Sequence, residues 1–455
     1  MATTDTRGIG RTVQPGDAGW DAARATFNLL IDQRPELIAF PSDEHEVAAA
    51  VASARERGLR IAVQATGHNP GPLGSLADTM ILNTSALTGV SIDAEARRVR
   101  VGAATKWEQV TPPLSELGLA ALHGSSPDVG IVGYSLGGGI GWLARRHGMQ
   151  ANAVTAIELV TAEGHLVRAD PVHEPELFWA LRGGGGNFGA VTAIEFTVLP
   201  IAELYAGALF FPLERAADVL QTWTELLPSL PEELTSWANV LHFPPFPEIP
   251  AELRGQSFAI VDAAFLGAEG EGRALLEPLR RLGPQIDTFA MQPPAALAEL
   301  AMDPPDPLPY WTAHALVDEL PPATLDDVAR IASDGSRMTL LQLRHMGGAL
   351  AREAPDAGAR ATLPGEICVF GLGIVPDPDA RPGVMAALGE LSGAVAPQRV
   401  GDYPSFVEEP ADASGFFDPA TWTRLRRAKA LYDPHDLFRG NHHVPPAERA
   451  AAHRG

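Results

Sequence analysis

The amino-acid sequence predicts an α+β fold made of two domains. One observation is the length of 455 residues, because single domains usually span about 50–250 residues. Another is a strand–helix–strand unit near the N-terminus that is followed by short strands and turns, an order typical of α+β layers. A third is the change after Pro200, where prolines become frequent in extended connections. We therefore predict domains at residues 1–200 and 201–395, with a C-terminal segment at 396–455.

The first domain begins with its clearest unit. The segment "ELIAF" is typical of a strand, "SDEHEVAAAVASARERGL" of an amphipathic helix and "RIAVQAT" of a second strand. Ser42 or Asp43 can cap the N-terminus of this helix, and Asp43 has Glu46 three residues later, a spacing like that of a capping box. Gly58 lies where a helix-ending glycine is expected.

Further elements follow along the chain. The segments "TMILNTS", "GVSID" and "RRVRVGAAT" predict short strands, and "KWEQVTPPLSELGLA" predicts a helix. A hairpin is expected in "AVTAIELVTAEGHLVRAD", around Glu163-Gly164. The stretch "EPELFWALRGGGGNFGAVTAIEF" predicts a helix, a glycine loop and a strand. After Pro200, "ELYAGALFFPL" predicts a strand and "RAADVLQTWTELLPSL" a helix, while the C-terminal "DPATWTRLRRAKALY" predicts a helix that precedes a loop.

Composition narrows the possible functions. The formal net charge of −22 argues against nucleic acid and anionic membranes as partners, because both are bound through basic groups. Cys368 is the only cysteine, which excludes an internal disulfide, and we expect it to be buried. No metal site is predicted, since His435, His442 and His443 lack carboxylates at ligand spacing. The N-terminus has no apolar signal segment, so we expect a cytoplasmic protein. The sequence does not specify the oligomeric state.

The stretch "HGSSPDVGIVGYSLGGGIGW" allows two interpretations. Gly133 to Gly137 fits G-x-S-x-G, which would make Ser135 the nucleophile of an α/β-hydrolase. Alternatively, the glycines let backbone N–H groups approach a phosphate. Two more loops of this kind are "GHNPGPLGS" and "GGGGNFG". The latter fits G-x-G-x-x-G, but a helix precedes it and a strand follows, the reverse of a Rossmann site. Three such loops favour a long cofactor that carries phosphates.

Four segments in the same order resemble the vanillyl-alcohol oxidase / p-cresol methylhydroxylase type of FAD-linked oxidases, in their berberine-bridge-enzyme-like branch, which includes bacterial 6-hydroxynicotine oxidase. They are "PSDEHEVAAAVASARERGLRIAVQATGHNPGPLG", "SSPDVGIVGYSLGGGIGWLARRHGMQAN", "ELFWALRGGGGNFGAVTAIEF" and "LYDPHDLFRGNHHVPP". The resemblance implies a two-domain FAD-binding (PCMH-type) fold. In it, residues 1–200 and 396–455 bind FAD, and the sheet of residues 201–395 covers the flavin.

The resemblance also implies the residues that bind FAD. His68 matches the histidine that is commonly bonded to the flavin 8α-methyl group, and Ser126 stands where bicovalent relatives have cysteine, so a single covalent bond through His68 is expected. Val129 matches a position associated with access of oxygen to the flavin. The chain departs from the pattern at Gln64 and Thr66. The full set of expected cofactor-binding residues is Ala65, Thr66, Gly67, His68, Asn69, Ser126, Val129, Gly130, Gly133, Tyr134, Gly137, Gly138, Gly139, Gly141, Gly189, Val191, Asn441 and His443.

The reaction implied is hydride transfer from a small alcohol, amine, sugar or phenolic metabolite to flavin N5, with O2 as the second substrate and hydrogen peroxide as product. If "TLLQLRHMGG" is a strand, Gln342 and Arg344 share one face, and they join Tyr403 as the expected catalytic residues. The alternatives are a dehydrogenase of the same fold that does not use O2, and the hydrolase with Ser135.

Overall fold

The computed structural model describes residues 8–247 and 249–448. Within these residues the strands form three sheets. The strands are β1 (Arg11–Val13), β2 (Leu37–Phe40), β3 (Arg60–Gln64), β4 (Thr79–Asn83), β5 (Val90–Asp93), β6 (Arg98–Gly102), β7 (Val154–Val160), β8 (Leu166–Ala169), β9 (Ala190–Thr197), β10 (Leu204–Pro212), β11 (Leu234–His242), β12 (Ser257–Phe265), β13 (Ile286–Asp287), β14 (Ala290–Gln292), β15 (Tyr310–Val317), β16 (Leu340–His345), β17 (Ile367–Ile374) and β18 (Arg399–Gly401).

The α-helices lie between and around these strands. They are α1 (Trp20–Ala23), α2 (Glu44–Glu56), α3 (Thr111–Glu116), α4 (Ile131–Leu136), α5 (Ala144–His147), α6 (Gln150–Ala153), α7 (Pro175–Gly184), α8 (Ala216–Leu226), α9 (Glu269–Leu275), α10 (Glu277–Arg280), α11 (Pro322–Ala332), α12 (Arg381–Val395) and α13 (Pro419–Tyr432). No helix within residues 8–247 and 249–448 combines the length and the apolar character needed to cross a membrane.

The first sheet has the order β1-β2-β4-β3, and its β2, β4 and β3 are parallel. It contains the predicted strand–helix–strand unit. The Asp43 carboxylate caps α2 by accepting bonds from the N–H groups of His45 and Glu46, each at 2.9 Å. Glu46 bonds to Ser42 instead of completing a capping box with Asp43, and Gly58 follows the helix with φ of +66°.

The second sheet is antiparallel, with the order β5-β6-β9-β7-β8. The predicted hairpin is β7 with β8, and the predicted helix, glycine loop and strand are α7, residues 185–189 and β9. Buried side chains of α4, α7 and α13 pack against β7 and β9 to form one core. This core holds the glycine-rich segments close to the sheet.

The third sheet is also antiparallel, with the order β13-β10-β12-β11-β16-β17-β15-β18, and β14 pairs with β10. Helices α8, α11 and α12 cover one face, where alternate residues of the strands form the largest core. The other face carries the remaining residues, because side chains alternate along a strand. In the register of β11 and β16, Trp237 is opposite Arg344 and Asn239 is opposite Gln342. The α+β fold class is thus confirmed, and the domain boundaries stay a prediction, with this sheet running from Leu204 to Gly401.

Candidate cofactor and substrate site

A cavity of about 920 Å³ lies between the glycine-rich loops of the first two sheets and the open face of the third sheet. This volume is near the upper end of the roughly 300–1,000 Å³ typical of ligand pockets. One wall is rich in glycine and is contributed by residues 64–70, by most residues from 124 to 137, and by residues 183–187. The opposite wall consists of side chains from β16, β17 and the segment after β18.

The loop after β3 leaves the carboxyl end of the parallel strands, the place where open α/β sheets commonly bind ligands. Residues 64–70 all line the cavity. Asn69 fixes this loop to a distant segment, since its Nδ2 donates to the carbonyl oxygens of Ser405 and Val407, both at 3.3 Å. Asn441 donates to the Asn69 carbonyl oxygen from the C-terminal segment.

Because Gly133 has no side chain, α4 exposes backbone to the cavity at this position. A Cβ atom added to Gly133 would have no heavy atom within 4 Å, so any side chain there would project into open space. Helix α4 has no side-chain cap, and the first N–H groups of a helix have no partner within the helix. Val132 and Gly133 therefore present backbone donors along the cavity, which both residues line.

The second glycine loop is held by Asn187 and Lys429. The Asn187 amide donates to the carbonyl oxygens of Gly184 and His442, both at 2.9 Å, and accepts from the N–H groups of Gly440 and Val444. Lys429 is fully buried, with Nζ 2.6 Å from Asp433 and 2.7 Å from the Asn187 carbonyl oxygen. We call these two residues with Asp433 the C-terminal clasp. It ties the last segment of the chain to residues 184–187.

His68 lies at the edge of the cavity with its ring held from two sides. Phe27 stacks on it with 4.0 Å between ring centroids, and Nε2 is 3.0 Å from the Asp128 carboxylate oxygen. A proton on Nε2 suits this contact, which leaves the lone pair of neutral imidazole on Nδ1. The geometry therefore favours Nδ1 as the nucleophilic nitrogen.

Arg344 and Gln342 come from β16 and both line the cavity, as the strand prediction expected. Arg344 Nε donates to Gln342 Oε1. The guanidinium carbon lies 4.1 Å from the ring centroid of Trp237 and 4.8 Å from that of Phe406. Burial lowers the pKa of Arg344, because a low-dielectric environment disfavours the charged form.

Tyr403 and Glu408 follow β18 and line the same cavity. The Tyr403 hydroxyl accepts a 3.0 Å bond from the Gly139 N–H, and burial raises its pKa, so the phenol stays protonated. Burial also raises the pKa of Glu408 to about 7, and its Oε2 accepts a 3.2 Å bond from Asn28 Nδ2. Glu408 can therefore exchange a proton near neutral pH.

The cavity brings together most residues that the sequence pointed to. The expected residues that line it are Ala65, Thr66, Gly67, His68, Asn69, Ser126, Val129, Gly130, Gly133, Tyr134, Gly137, Gly189, Val191, Asn441, Gln342, Arg344 and Tyr403. Their individual roles stay predictions. Ser126 carries a hydroxyl that donates to Asp303 at 2.6 Å.

Four expected cofactor residues are not in the cavity wall: Gly138, Gly139, Gly141 and His443. A Cβ at Gly141 would be 1.8 Å from the His123 carbonyl oxygen, and one at Gly139 would be 2.4 Å from the Tyr134 ring. Close packing therefore explains glycine at these two positions. His443 contacts Asp436 at 3.2 Å, and its neighbour His442 lines the cavity instead.

The hydrolase interpretation of Ser135 is wrong. Its side chain is buried, and Oγ donates to the Ile131 carbonyl oxygen at 2.7 Å within α4. Ser135 does not line the cavity, so no substrate carbonyl could reach it. Cys368 is buried, as expected, and burial raises the pKa of its thiol to about 12.

Several cavity residues escaped the sequence analysis. They are Phe27, Asn187, Asp303, Arg360, Phe370, Glu408 and His442, among others. Glu408 had no local signal, because the two adjacent carboxylates in "SFVEEP" are typical of an exposed loop. His442 stands beside the predicted His443, and adjacent residues of an extended segment point to opposite sides.

Comparison with known proteins agrees with this geometry. Residues 35–170 match the FAD binding domain family. The chain is 25% identical to the uncharacterized FAD-linked oxidoreductase YgaK of Bacillus subtilis over 98% of this chain and 99% of the relative. It is 33% identical to (R)-6-hydroxynicotine oxidase of Paenarthrobacter nicotinovorans over 51% of this chain and 48% of that enzyme.

A solved structure supports the same assignment at the level of the fold. The wild-type BBE-like 1 protein of Physcomitrella patens superposes with a TM-score of 0.83 at 18% identity, covering 97% of this chain and 98% of the other. Together with the match of residues 35–170 to the FAD binding domain family, this likeness gives the chain an FAD binding domain and the berberine-bridge-enzyme-like, PCMH-type fold.

Proposed function

We propose that this protein is an FAD-dependent oxidase that removes a hydride from a C–H bond of a small organic substrate and uses O2 to form hydrogen peroxide. The observation that carries the proposal is one cavity with a backbone wall on one side and Gln342, Arg344, Tyr403 and Glu408 on the other. Such a cavity offers donors for a phosphate-bearing cofactor and polar side chains for a substrate.

The residues present fit FAD. Open space at the missing Cβ of Gly133 and of Gly186 leaves room for a ligand against the backbone, and unpaired helix N–H groups can bind phosphate oxygens. Residues 65–69 and 130–137 would hold the cofactor from the first domain. When bound, FAD accepts the hydride at N5 and supplies two electrons to O2.

The side chains of the protein would bind the substrate and accept its proton. Glu408, whose pKa is about 7, would accept the proton from a substrate O–H or N–H group as the C–H bond is broken. Tyr403, whose pKa is raised, would donate a hydrogen bond to a substrate oxygen. The aromatic and aliphatic side chains on the sheet side exclude water from the reacting carbon.

His68 is proposed as the single covalent attachment point. Its Nδ1 lone pair, the Phe27 stack and the Asp128 contact support this role. The hydroxyl at Ser126 cannot replace the cysteine of bicovalent relatives. A covalent bond would prevent loss of the cofactor and raise its redox potential.

The test begins with purified protein and needs no known substrate. We expect flavin absorbance in the native protein and, after acid precipitation, yellow flavin that stays with the polypeptide. Free FAD in the supernatant would contradict the covalent attachment alone, whereas a colourless native protein would contradict the whole proposal. Screening of alcohols, amines, sugars and phenols with peroxide detection then separates an oxidase from a dehydrogenase of the same fold.

A further inference from the structure

Arg344 is a buried cation that lacks an anionic partner in the structure. The residue is 8% exposed, and within residues 8–247 and 249–448 no carboxylate is hydrogen-bonded to its guanidinium group, which Asp303 attracts only at longer range. Nε donates to Gln342, but the two terminal nitrogens have no acceptor among the described residues. Because buried charges are nearly always paired, the terminal nitrogens are available to a ligand.

Another buried arginine shows what a purely structural role looks like here. Arg145 donates to the carbonyl oxygens of Met346, Pro231 and Leu234 at 2.6–3.0 Å. These bonds use the donors of Arg145 to join α5 to the third sheet. Arg344 has no comparable set, and it lines the cavity whereas Arg145 does not.

The surroundings orient the Arg344 guanidinium. Trp237 and Phe406 lie against it at 4.1 and 4.8 Å, and Gln342 holds Nε. An arginine that is stacked on aromatic rings loses little freedom when it binds, and its paired donors match the two oxygens of a carboxylate. The terminal nitrogens thus form a preorganised site for an anionic oxygen.

Apart from polar residues that include Asp303 and Glu408, much of the substrate side is apolar. Side chains that line it include Phe243, Phe246, Leu253, Leu340, Phe370 and Leu372. Such a wall favours a hydrophobic or aromatic body through burial of apolar surface. A ligand that satisfies both parts of the cavity has an apolar body with one anionic oxygen group.

We propose that Arg344, oriented by Gln342, binds an anionic oxygen of the substrate, so that the substrates are aromatic or other apolar acids with a carboxylate or an ionised phenol. This proposal rests on the proposed function, because it concerns the same cavity. It names the substrate class that the amine, alcohol, sugar and phenol alternatives left open.

The test uses the flavin-loaded protein and matched probes. Benzoate is compared with benzamide, and 4-nitrophenolate with 4-nitroanisole, by calorimetry and by the change in flavin absorbance on titration. We expect at least one anion to bind about tenfold or more tightly than its neutral counterpart, as hydrogen bonds to a charged group provide. The pair that shows the preference distinguishes a carboxylate from a phenolate. Equal affinity within both pairs would overturn the proposal.

Variants assign the preference to Arg344. Arg344→Met should abolish it, and Arg344→Lys should retain part of it, because lysine keeps the charge without the paired donors. Arg381→Met is the matched control, since Arg381 also lies over a tryptophan, 5.0 Å from the Trp311 ring, but outside the cavity. Unchanged preference in Arg344→Met would contradict the proposal.

Flavin content is measured first in every variant. If Arg344→Met loses FAD and the wild type shows no preference for anionic probes, Arg344 serves the cofactor. This result would also overturn the proposal. A wild type without flavin would instead contradict the proposed function. If Arg344→Met does not fold, Arg344→Lys and the wild-type comparison of anionic and neutral probes still decide the matter.

Discussion

On the cofactor side, the contact between His68 and Asp128 bears on the proposed covalent attachment of the flavin. Asp128 Oδ2 lies 3.0 Å from His68 Nε2 and can hold the proton of the ring on that nitrogen. An Asp128→Asn variant loses the negative charge that supports this state but keeps the size of the side chain. We expect a lower fraction of covalent flavin in it, measured as flavin fluorescence of the denatured polypeptide on a gel.

The control for this prediction is His68→Ala. That variant should show no covalent flavin, while FAD added to it should still bind through the glycine loops. A wild-type level of covalent flavin in Asp128→Asn would show that the Asp128 charge is not needed for attachment.

Glu408 sets the expected pH dependence on the substrate side. A base acts when it is deprotonated, so kcat/KM should rise with pH through about 7, the pKa that burial gives this carboxyl. Glu408→Gln should lower kcat roughly a hundredfold or more, the usual effect of losing a general base, and should remove this pH step. An unchanged profile in the variant would assign the proton to another group.

Protein stability gives an independent measurement at Glu408. Its folded-state pKa of about 7 lies above the 4.5 of an unperturbed glutamate, so the folded state binds the proton more tightly than the unfolded state. The stabilisation is therefore fully present below pH 4.5 and is lost as pH rises towards 7. Relative to wild type, Glu408→Gln should gain stability between these pH values, as measured by denaturant unfolding.

At the scale of elements, the glycine at position 133 of α4 keeps the cavity open. Gly133→Val would place a branched side chain in space that FAD needs, although no protein atom lies within 4 Å of the new Cβ. We expect a folded protein that binds little flavin, checked by circular dichroism and flavin absorbance. Gly389→Val in α12 is the matched control, because its Cβ is equally free and lies outside the cavity.

The C-terminal clasp links α13 to the second glycine loop. Lys429→Met removes one partner of the fully buried pair with Asp433 and leaves that carboxylate unpaired. Such a change typically costs about 3–5 kcal/mol, so the free energy of unfolding should fall by that amount in urea. Arg427→Met on the exposed side of the same helix should change it little, and an equal loss in both variants would contradict a specific role for the clasp.

Local elements were largely predictable from the sequence, and their partners were not. Alternation and caps defined β2, α2, β3 and the β7–β8 hairpin, because the relevant contacts lie within a few residues. The pairing of β11 with both β12 and β16 depends on contacts between distant parts of the chain, which no local pattern encodes. The same reason hid Glu408, whose pKa is raised by burial between segments that are distant in the sequence.

Across the whole molecule, the third sheet closes a cavity that the first two sheets build from backbone. This arrangement would divide the two functions, because the glycine loops would hold the cofactor and β16 with the segment after β18 would contact the substrate. The resemblance to FAD-linked oxidases predicted this arrangement of domains from four sequence segments. The alternation of side chains in "TLLQLRHMGG" predicted that Gln342 and Arg344 share one face, whereas Glu408 was not predicted.

The central claim is that the bound flavin transfers electrons to O2, and it can be measured without a substrate. Purified protein is reduced anaerobically with one equivalent of dithionite per flavin, so that no reductant remains, and is then mixed with aerated buffer while flavin absorbance and hydrogen peroxide are followed. We predict rapid reoxidation that yields one hydrogen peroxide per bound flavin. Flavin that stays reduced in the presence of O2 would contradict an oxidase, and protein without flavin would contradict the account as a whole.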